Sequence, residues 1–250
     1  MTAPTQLNEQ LALIADMHGN AVALDAVLSD ISSSGIRDFV CLGDVASMGP
    51  HPAEVLRRVR DLRCPVVMGN ADAFLLDPTS TSEDELRRRV DEIDAWCAEQ
   101  LSESDLDFIR TFQATATVEL GGGGELLCYH GSPRSFDEII APTTPDDELG
   151  ELLGDRSADV FAGGHTHFQM YRRHLQSIVI NPGSAGWAYD RTQPIDEVRM
   201  AGWAEYAVVH TGNLSVGFRR VPYDKELVAR AIAESGMPHS DWWAEEWRAA

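Results

Sequence analysis

Asp, His and Asn residues recur beside glycines at the ends of short apolar runs. The first group is Asp16-Met17-His18-Gly19-Asn20, where Asp16 and His18 project to the same side of an extended segment. The later groups are Gly43-Asp44, Gly69-Asn70, Tyr129-His130-Gly131 and Gly164-His165-Thr166-His167. Carboxylate, imidazole and amide groups of this kind bind Mn, Fe, Ni or Zn ions. The pattern therefore indicates a metal site.

The same residue types also have plainer roles, because Asp and His often cap a strand end or bond to the backbone. A single Asp-x-His pair would not distinguish a metal site from these structural roles. Ligands gather at the carboxyl ends of strands in open α/β sheets, and five strand-like runs end in such a residue here. This repetition favours a shared site. The remaining histidines, interpreted as surface or hydrogen-bonded residues, are His51, His174, His210 and His239.

The apolar runs alternate with amphipathic stretches, which is typical of βαβ units. Helices are predicted over 21–34 and 52–62, with Asn20 as the N-cap of the first helix. Strands are predicted over 11–15, 38–42, 65–68, 115–120, 125–129, 159–162, 169–173, 178–180, 206–210 and 214–221. This number of strands favours an α/β fold in which a two-sheet β-sandwich is flanked by helices.

Two segments depart from the alternating pattern. The stretch 77–113 is highly charged, and Ser82 with Glu85 suggests a capping box ahead of a helix through Gln100. We interpret 77–113 as a helical cap inserted into a single domain that covers residues 1–250. The tail carries Trp242, Trp243 and Trp247. It is predicted to be a helix that packs its indoles on the body, with an exposed partner site as the alternative.

Composition and charge narrow the classes of partner. The chain has 250 residues, 44% of them hydrophobic, which is enough for one globular domain. The 20 Lys and Arg residues against 40 Asp and Glu give a net charge of −20, which argues against a nucleic-acid polymer as a partner. No run approaches the roughly 20 apolar residues of a membrane span, and no signal peptide is evident, so a cytoplasmic protein without a membrane partner is expected. A homo-oligomer stays compatible with the sequence.

The five groups, in this order and spacing, resemble the motifs of the calcineurin-like metallophosphoesterase superfamily from about Leu11 to Ser184. The resemblance implies a four-layer αββα fold and two divalent metal ions, with Mn expected and Fe, Ni or Zn as alternatives. One ion would be held by Asp16, His18, Asp44 and His167. The other would be held by Asp44, Asn70, His130 and His165. Asp44 would then bridge the ions, and a metal-bound hydroxide would attack phosphorus.

The charge of such a centre suits a phosphorylated substrate. Two ions bring +4 and two carboxylates −2, leaving about +2 for an anionic substrate despite the overall charge of −20. Residues 129–134 and 181–184 resemble small bacterial and archaeal phosphodiesterases and diadenosine-tetraphosphatase-like enzymes more than protein phosphatases. A phosphodiester or phosphoanhydride hydrolase acting on a small, nucleotide-type phosphorylated substrate is therefore expected.

The departures from the family pattern concern the proton donor and the substrate contacts. Ala71 stands where the family usually has a His that protonates the leaving group, which should harm alkoxide leaving groups more than aryl or anhydride ones. Asp72 is a candidate to take part of that role. Met48 and Met68 stand where protein phosphatases carry phosphate-binding arginines, so a phosphoprotein substrate is disfavoured.

Substrate contacts are the remaining assignments. Asn20 and Arg134 are candidate substrate-binding residues, and Arg134 could bind a second phosphate. The aromatic candidates to stack on a base are Phe74, Trp187 and Tyr189. Alternatives are a phosphomonoesterase for small molecules or phosphoproteins, and a catalytically weak metal-binding regulator. A protein with one structural ion is less consistent with seven candidate ligands, because such an ion needs four.

Overall fold

The computed structural model describes residues 9–79, 82–189 and 200–248. Its strands are β1 (Gln10–Ile14), β2 (Asp38–Cys41), β3 (Ala116–Glu119), β4 (Glu125–Cys128), β5 (Val160–Ala162), β6 (Met170–His174), β7 (Ser177–Asn181), β8 (Trp203–His210) and β9 (Val216–Pro222). Its α-helices are α1 (Ala21–Ser33), α2 (Pro52–Leu62), α3 (Asn70–Leu76), α4 (Glu85–Glu99), α5 (Glu103–Ile109), α6 (Asp146–Leu153), α7 (Lys225–Glu234) and α8 (Ser240–Arg248). None of the helices in these ranges has both the length and the apolar character that a membrane span requires.

The strands form two sheets. One has the order β2-β1-β8-β9 and the other the order β3-β4-β5-β7-β6. β1 runs parallel to β2, and β4, β5 and β7 run parallel to one another. The carboxyl ends of the parallel strands in each sheet therefore share an edge, and that edge carries the residues described below.

The alternation of side chains along β1 explains the layering. Leu11 and Leu13 belong to a buried cluster that also contains Leu126 and Val160 of the second sheet. Ala12 and Ile14 point to the opposite face and pack in the cluster that includes helix α1. Because both faces of β1 are buried, it is a central strand between a second sheet and a helical layer.

The outer face of the second sheet is covered by α6, through Leu149 and Leu153 against Phe161 and Val179. Helices therefore lie outside both sheets. The predicted α/β fold, with a two-sheet sandwich flanked by helices in four layers, is confirmed.

Some local predictions are wrong. Residues 65–68 do not form an extended strand, because Val66 and Val67 make only isolated bridges to Cys41 and Gln113. The capping box expected at Ser82 and Glu85 is absent, and the N-cap of α4 is Asp84, whose carboxylate accepts a hydrogen bond from the Arg87 backbone N–H at 2.8 Å.

The tail helix is confirmed as α8. Its Trp243 and Trp247 are buried in the same core cluster as α1. The two helices between 82 and 113 also reach that cluster, through Ile93, Cys97 and Ile109.

Candidate metal centre

Loops that follow the parallel strands bring the chemical groups together. Asp16 follows β1, Asp44 follows β2, and His130 follows β4. The loop after β5 carries His165 and His167, and Asn70 is the first residue of α3. The parallel strands end at common edges, so residues far apart in sequence meet here because of topology.

The residues form two groups of potential ligands. The ligand atoms of Asp16, His18 and His167 lie within 4.8 Å of one another, and the same holds for Asp44, His130 and His165. The groups touch, since His18 Nε2 lies 3.7 Å from Asp44 Oδ2. Asn70 joins through its side-chain oxygen, 3.2 Å from His130 Nε2. The structure thus brings all seven predicted ligand residues to one place.

The hydrogen bonds of two histidines determine which nitrogen faces the centre. Nδ1 of His130 donates to the Leu42 carbonyl at 2.7 Å, and Nδ1 of His167 donates to the Trp187 carbonyl at 2.7 Å. A carbonyl oxygen only accepts, so Nδ1 carries a proton in both rings. In a neutral ring, Nε2 then presents its lone pair to the centre.

These lone pairs face other acceptors. His130 Nε2 lies 3.3 Å from Asp44 Oδ2, and His167 Nε2 lies 3.3 Å from Asp16 Oδ1. A cation or a proton must lie between such atoms to stabilise the contact. Imidazole nitrogens with carboxylate and amide oxygens suit divalent transition metals, so the residues fit metal ions chemically.

Burial and neighbouring charges perturb the pKa values in the centre. Burial lowers the pKa of His18 to about 3, against the attraction of Asp44. Burial also opposes protonation of His130, but Asp44 and Asp16 outweigh it and raise the pKa of His130 to about 9. Burial alone would raise the pKa of Asp44, yet His130 and His18 hold that pKa below its usual range. The centre is therefore an ionised carboxylate site that attracts positive charge.

Five of the seven predicted ligand residues adopt strained backbone conformations. Positive φ angles are found at Asp16 (55°), His18 (44°), Asp44 (54°), His165 (69°) and His167 (59°). A non-glycine residue in this region costs about 1–3 kcal/mol and persists only where its surroundings impose it. Hydrogen bonds between loops impose it here, such as His18 N–H to the Asp44 carbonyl at 3.0 Å. The fold thus holds the ligand residues in these backbone conformations although their residue types disfavour a positive φ.

Gly69 makes room for the carboxylate of Asp44. A Cβ at Gly69 would lie 2.1 Å from Asp44 Oδ1. That oxygen accepts a hydrogen bond from the Ala71 backbone N–H at 2.9 Å. Position 69 therefore requires glycine because the Asp44 carboxylate approaches its backbone closely, and not because its φ angle is unusual.

Asp72 supports the loop that carries Asp44 through hydrogen bonds to its backbone. Its carboxylate accepts hydrogen bonds from the backbone N–H groups of Asp44 (2.7 Å), Val45 (2.8 Å) and Gly69 (3.0 Å). Its side chain is completely buried, and burial together with Asp44 raises its pKa to about 7. These bonds make Asp72 a residue that positions the loop. The geometry does not favour the role of proton donor to a substrate.

The predicted substrate contacts are not brought together. Asn20 is fully buried, accepts from the Ala23 N–H at 3.0 Å and donates to the Gly186 carbonyl at 2.8 Å, which makes it a helix cap and a loop tie. Arg134 is exposed and forms an ion pair with Glu138 at 2.8 Å. Arg134 is absent from the residues that line the pocket described next.

A pocket of about 530 Å³ opens beside the centre. His18, Asp44, Asn70 and His167 line its inner end. The walls include Met48, Ala71, Phe74, Leu86, Arg87, Val90, Asp94, Trp187, Tyr189, Met200, Trp242, Trp243 and Glu246. Apolar and aromatic side chains therefore surround much of the space next to the ligands.

Several wall residues come from helices that sequence reasoning did not connect with the centre. Arg87 and Asp94 belong to α4, and Trp242 belongs to α8. Helical periodicity around residue 90 signals burial of one face of α4 but does not say what that face covers. Trp187 is only 3% exposed and stacks on the predicted metal ligand His18, with ring centroids 4.8 Å apart. Its ring is therefore not free to stack on a base.

Two touching Asp/His groups at the strand ends of a four-layer sandwich define a metallophosphoesterase. The sequence matches the calcineurin-like phosphoesterase superfamily domain over residues 10–211, and the chain belongs to that superfamily. The family expected from the motifs is confirmed. The protein is a metal-dependent phosphoesterase, that is, a hydrolase.

Several known proteins resemble this chain along nearly its whole length. An uncharacterised protein of Methanocaldococcus jannaschii is 26% identical, and the match covers 96% of this chain and 97% of that protein. A crystal structure of a metallophosphoesterase from Sphaerobacter thermophilus has a TM-score of 0.76 and 26% identity, covering 96% of this chain and 98% of the other. A hypothetical protein from Pyrococcus horikoshii shares the fold, with a TM-score of 0.79, 22% identity, and coverage of 94% and 96%.

One further match is to an enzyme and covers only a short part of the chain. A symmetrical bis(5′-nucleosyl)-tetraphosphatase of Pectobacterium carotovorum is 42% identical over 67 residues. The match covers 26% of this chain and 24% of that enzyme.

Proposed function

We propose that the protein hydrolyses phosphodiester or phosphoanhydride bonds of small, nucleotide-type substrates with two divalent metal ions. The observation that carries the proposal is the pair of Asp/His groups that meet at Asp44 and face a 530 Å³ pocket. One ion would be held by Asp16, His18, Asp44 and His167, and the other by Asp44, Asn70, His130 and His165. Mn²⁺ is the proposed metal, with Fe, Ni and Zn as alternatives. A cytoplasmic location stays a prediction.

Two such ions supply a positive clamp for the phosphoryl oxygens and make a water molecule more acidic. The chain's own residues prepare the site for this chemistry. Carbonyl groups of Leu42 and Trp187 hold the rings of His130 and His167 with Nε2 toward the centre. The indole ring of Trp187 stacks on one face of the His18 ring and packs it in place. Asp72 holds the loop that carries Asp44.

The pocket walls support a substrate with an aromatic part. Phe74, Tyr189 and Trp242 line the pocket and are only half-buried, so part of each ring is exposed for a base to stack on, although Tyr189 also contacts the ring of His167 at a centroid distance of 4.6 Å. Arg87 lies on the same wall, half-exposed and paired with Asp91 at 2.8 Å, and it supplies positive charge for a second phosphate. The local similarity to a tetraphosphatase supports the same class of substrate.

The walls also disfavour a phosphoprotein. Met48 lines the pocket, and Met68 packs against the core, so neither position offers an arginine to a protein-bound phosphate. We further propose that 77–113 acts as a cap, because α4 supplies Leu86, Arg87 and Val90 to the pocket.

The test is a substrate panel on chelator-treated protein. Phosphomonoesters, phosphodiesters and dinucleoside polyphosphates are assayed with and without Mn²⁺. Hydrolysis of diesters or anhydrides that requires added metal is expected, together with its loss in His130→Ala and His167→Ala. His174→Ala is the matched control, because His174 lies in β6, away from the centre.

Other outcomes would replace the proposal. Faster turnover of monoesters than of diesters and anhydrides would make the protein a phosphomonoesterase. Bound metal with every substrate at the metal-only background rate would favour the metal-binding regulator.

A further inference from the structure

Helix α4 brings a buried carboxyl group into the pocket. Asp94 is only 3% exposed and lines the pocket together with Ala71 and Asn70. Helix α3, which carries Ala71, packs against α4. A carboxyl group from a different element thus faces the same space as Ala71, the position left without an acid.

One oxygen of Asp94 has a structural partner. Asp94 Oδ1 accepts a hydrogen bond from the Met48 backbone N–H at 2.7 Å. Met48 has a positive φ of 60° and lies four residues after Asp44. This hydrogen bond ties the Asp94 carboxyl group, which belongs to α4, to the loop that leaves the centre. The side chain therefore has a defined position, as a general acid requires.

The surroundings of Asp94 favour the protonated form of its carboxyl group. Burial raises the pKa of Asp94 well above its usual range, and the negative charges of Asp44 and Asp91 act in the same direction. The Met48 N–H and Arg87 oppose this rise without reversing it. A protonated carboxylic acid beside an anion-binding centre is a hydrogen-bond and proton donor.

The other carboxyl groups near the pocket are less suited. Asp72 is completely buried beneath the loop and accepts three backbone hydrogen bonds. Asp84 and Glu246 line the pocket but are exposed, and Asp84 caps α4. Among the described acidic residues that line the pocket and are not ligands, Asp94 alone combines burial with a fixed position.

We propose that Asp94 donates the proton to the leaving group, in the role that Ala71 cannot perform. The bond between phosphorus and the leaving oxygen breaks, and its electron pair stays on that oxygen, which takes the proton of Asp94. A water oxygen forms the new bond to phosphorus, and the proton released by that water restores the Asp94 acid. This role rests on the proposed phosphohydrolase function.

The experiment compares two substrates that share one thymidylyl group. Thymidine 5′-(p-nitrophenyl phosphate) releases a weakly basic phenolate, whereas a dithymidine monophosphate releases an alkoxide that needs a proton. Asp94→Asn keeps an oxygen that can accept from Met48 N–H, so the loop contact survives. For Asp94→Asn we expect kcat/KM of the dinucleotide to fall by about 10²–10⁴ and that of the aryl ester by less than about tenfold.

Asp72→Asn is the matched control, since Asp72 supports the same loop without entering the pocket. It should lower kcat/KM of both substrates by the same factor. Metal content and thermal unfolding of each variant are measured alongside. An equal loss on both substrates in Asp94→Asn, or no loss on either, would overturn the proposal.

A second measurement needs no variant. Across aryl esters of thymidine 5′-phosphate, kcat/KM of the wild-type enzyme should depend only weakly on the pKa of the phenol. A steep dependence would overturn the role of Asp94 while leaving the hydrolase intact. Wild-type protein that binds metal but cleaves neither class of substrate would instead refute the proposed function itself.

Discussion

Replacing Gly69 by Ala tests whether close packing at Asp44 builds the centre. Gly69 has φ −95° and ψ 168°, an extended conformation that alanine adopts without strain. The obstacle is space, because the new Cβ would lie 2.1 Å from Asp44 Oδ1 and 2.6 Å from the Asp44 backbone nitrogen. Either the carboxylate or the backbone of residue 69 must move.

The expected cost follows from what that movement breaks. Loss of the Ala71 N–H bond to the Asp44 carboxylate is worth about 1.5–3 kcal/mol, as for hydrogen bonds to charged groups. Overpacking in a rigid environment costs about 1–3 kcal/mol more. The total of about 2.5–6 kcal/mol is divided between the free energy of unfolding and the free energy of metal binding.

The assay is calorimetric titration of chelator-treated protein with Mn²⁺, together with thermal unfolding of the same samples. Gly212→Ala is the control, because a Cβ at Gly212 meets no atom within 4 Å. If Gly69→Ala binds Mn²⁺ as tightly as wild type and unfolds at the same temperature, the contact between Gly69 and Asp44 does not build the centre. The argument from close approach would then fail.

Three further predictions concern the ions and the acid. Asp44→Asn preserves shape but removes the shared charge, so elemental analysis should find both ions depleted, and retention of both would refute bridging by Asp44. Chelation should lower Tm by about 11–22 °C, because each of two ions at 100 times its Kd stabilises the folded state by about 2.7 kcal/mol, and an unchanged Tm in a thermal scan would contradict ion binding to the folded form. Ala71→His should change the alkoxide-to-aryl ratio little in the wild-type chain but raise it in Asp94→Asn, as measured by single-turnover kinetics; a large rise in the wild-type chain would mean that Asp94 does not already donate the proton.

The centre was predictable because its signals are local. Each ligand follows a strand-like run and lies within three residues of a glycine, and parallel strands end at a common edge, so the pattern at Asp16 and His130 needed no knowledge of the whole fold. The strand expected over 65–68 failed because an extended strand requires a continuous partner. Val66 and Val67 bridge different segments, at Cys41 and Gln113.

The pocket walls were not predictable in the same way. Asp94 lies in a charged helix whose sequence is typical of a solvated face, and only the packing of α4 on α3 turns this carboxyl group inward. Asn20 shows the opposite case. A cap residue next to ligand residues looks available for substrate, but its side chain is consumed by Ala23 and Gly186.

The division of the site between sheets and helices has an evolutionary consequence. The ligands lie on strand-end loops and at the start of α3, within the region that matches the superfamily, whereas α8 begins at Ser240, beyond the end of that match at residue 211. Trp242 and Glu246 nevertheless help to shape the pocket. The tail helix can therefore vary and change the shape of the pocket while the ligand residues stay constant. Related hydrolases can therefore differ in the substrates they accept while they keep the same metal-binding residues.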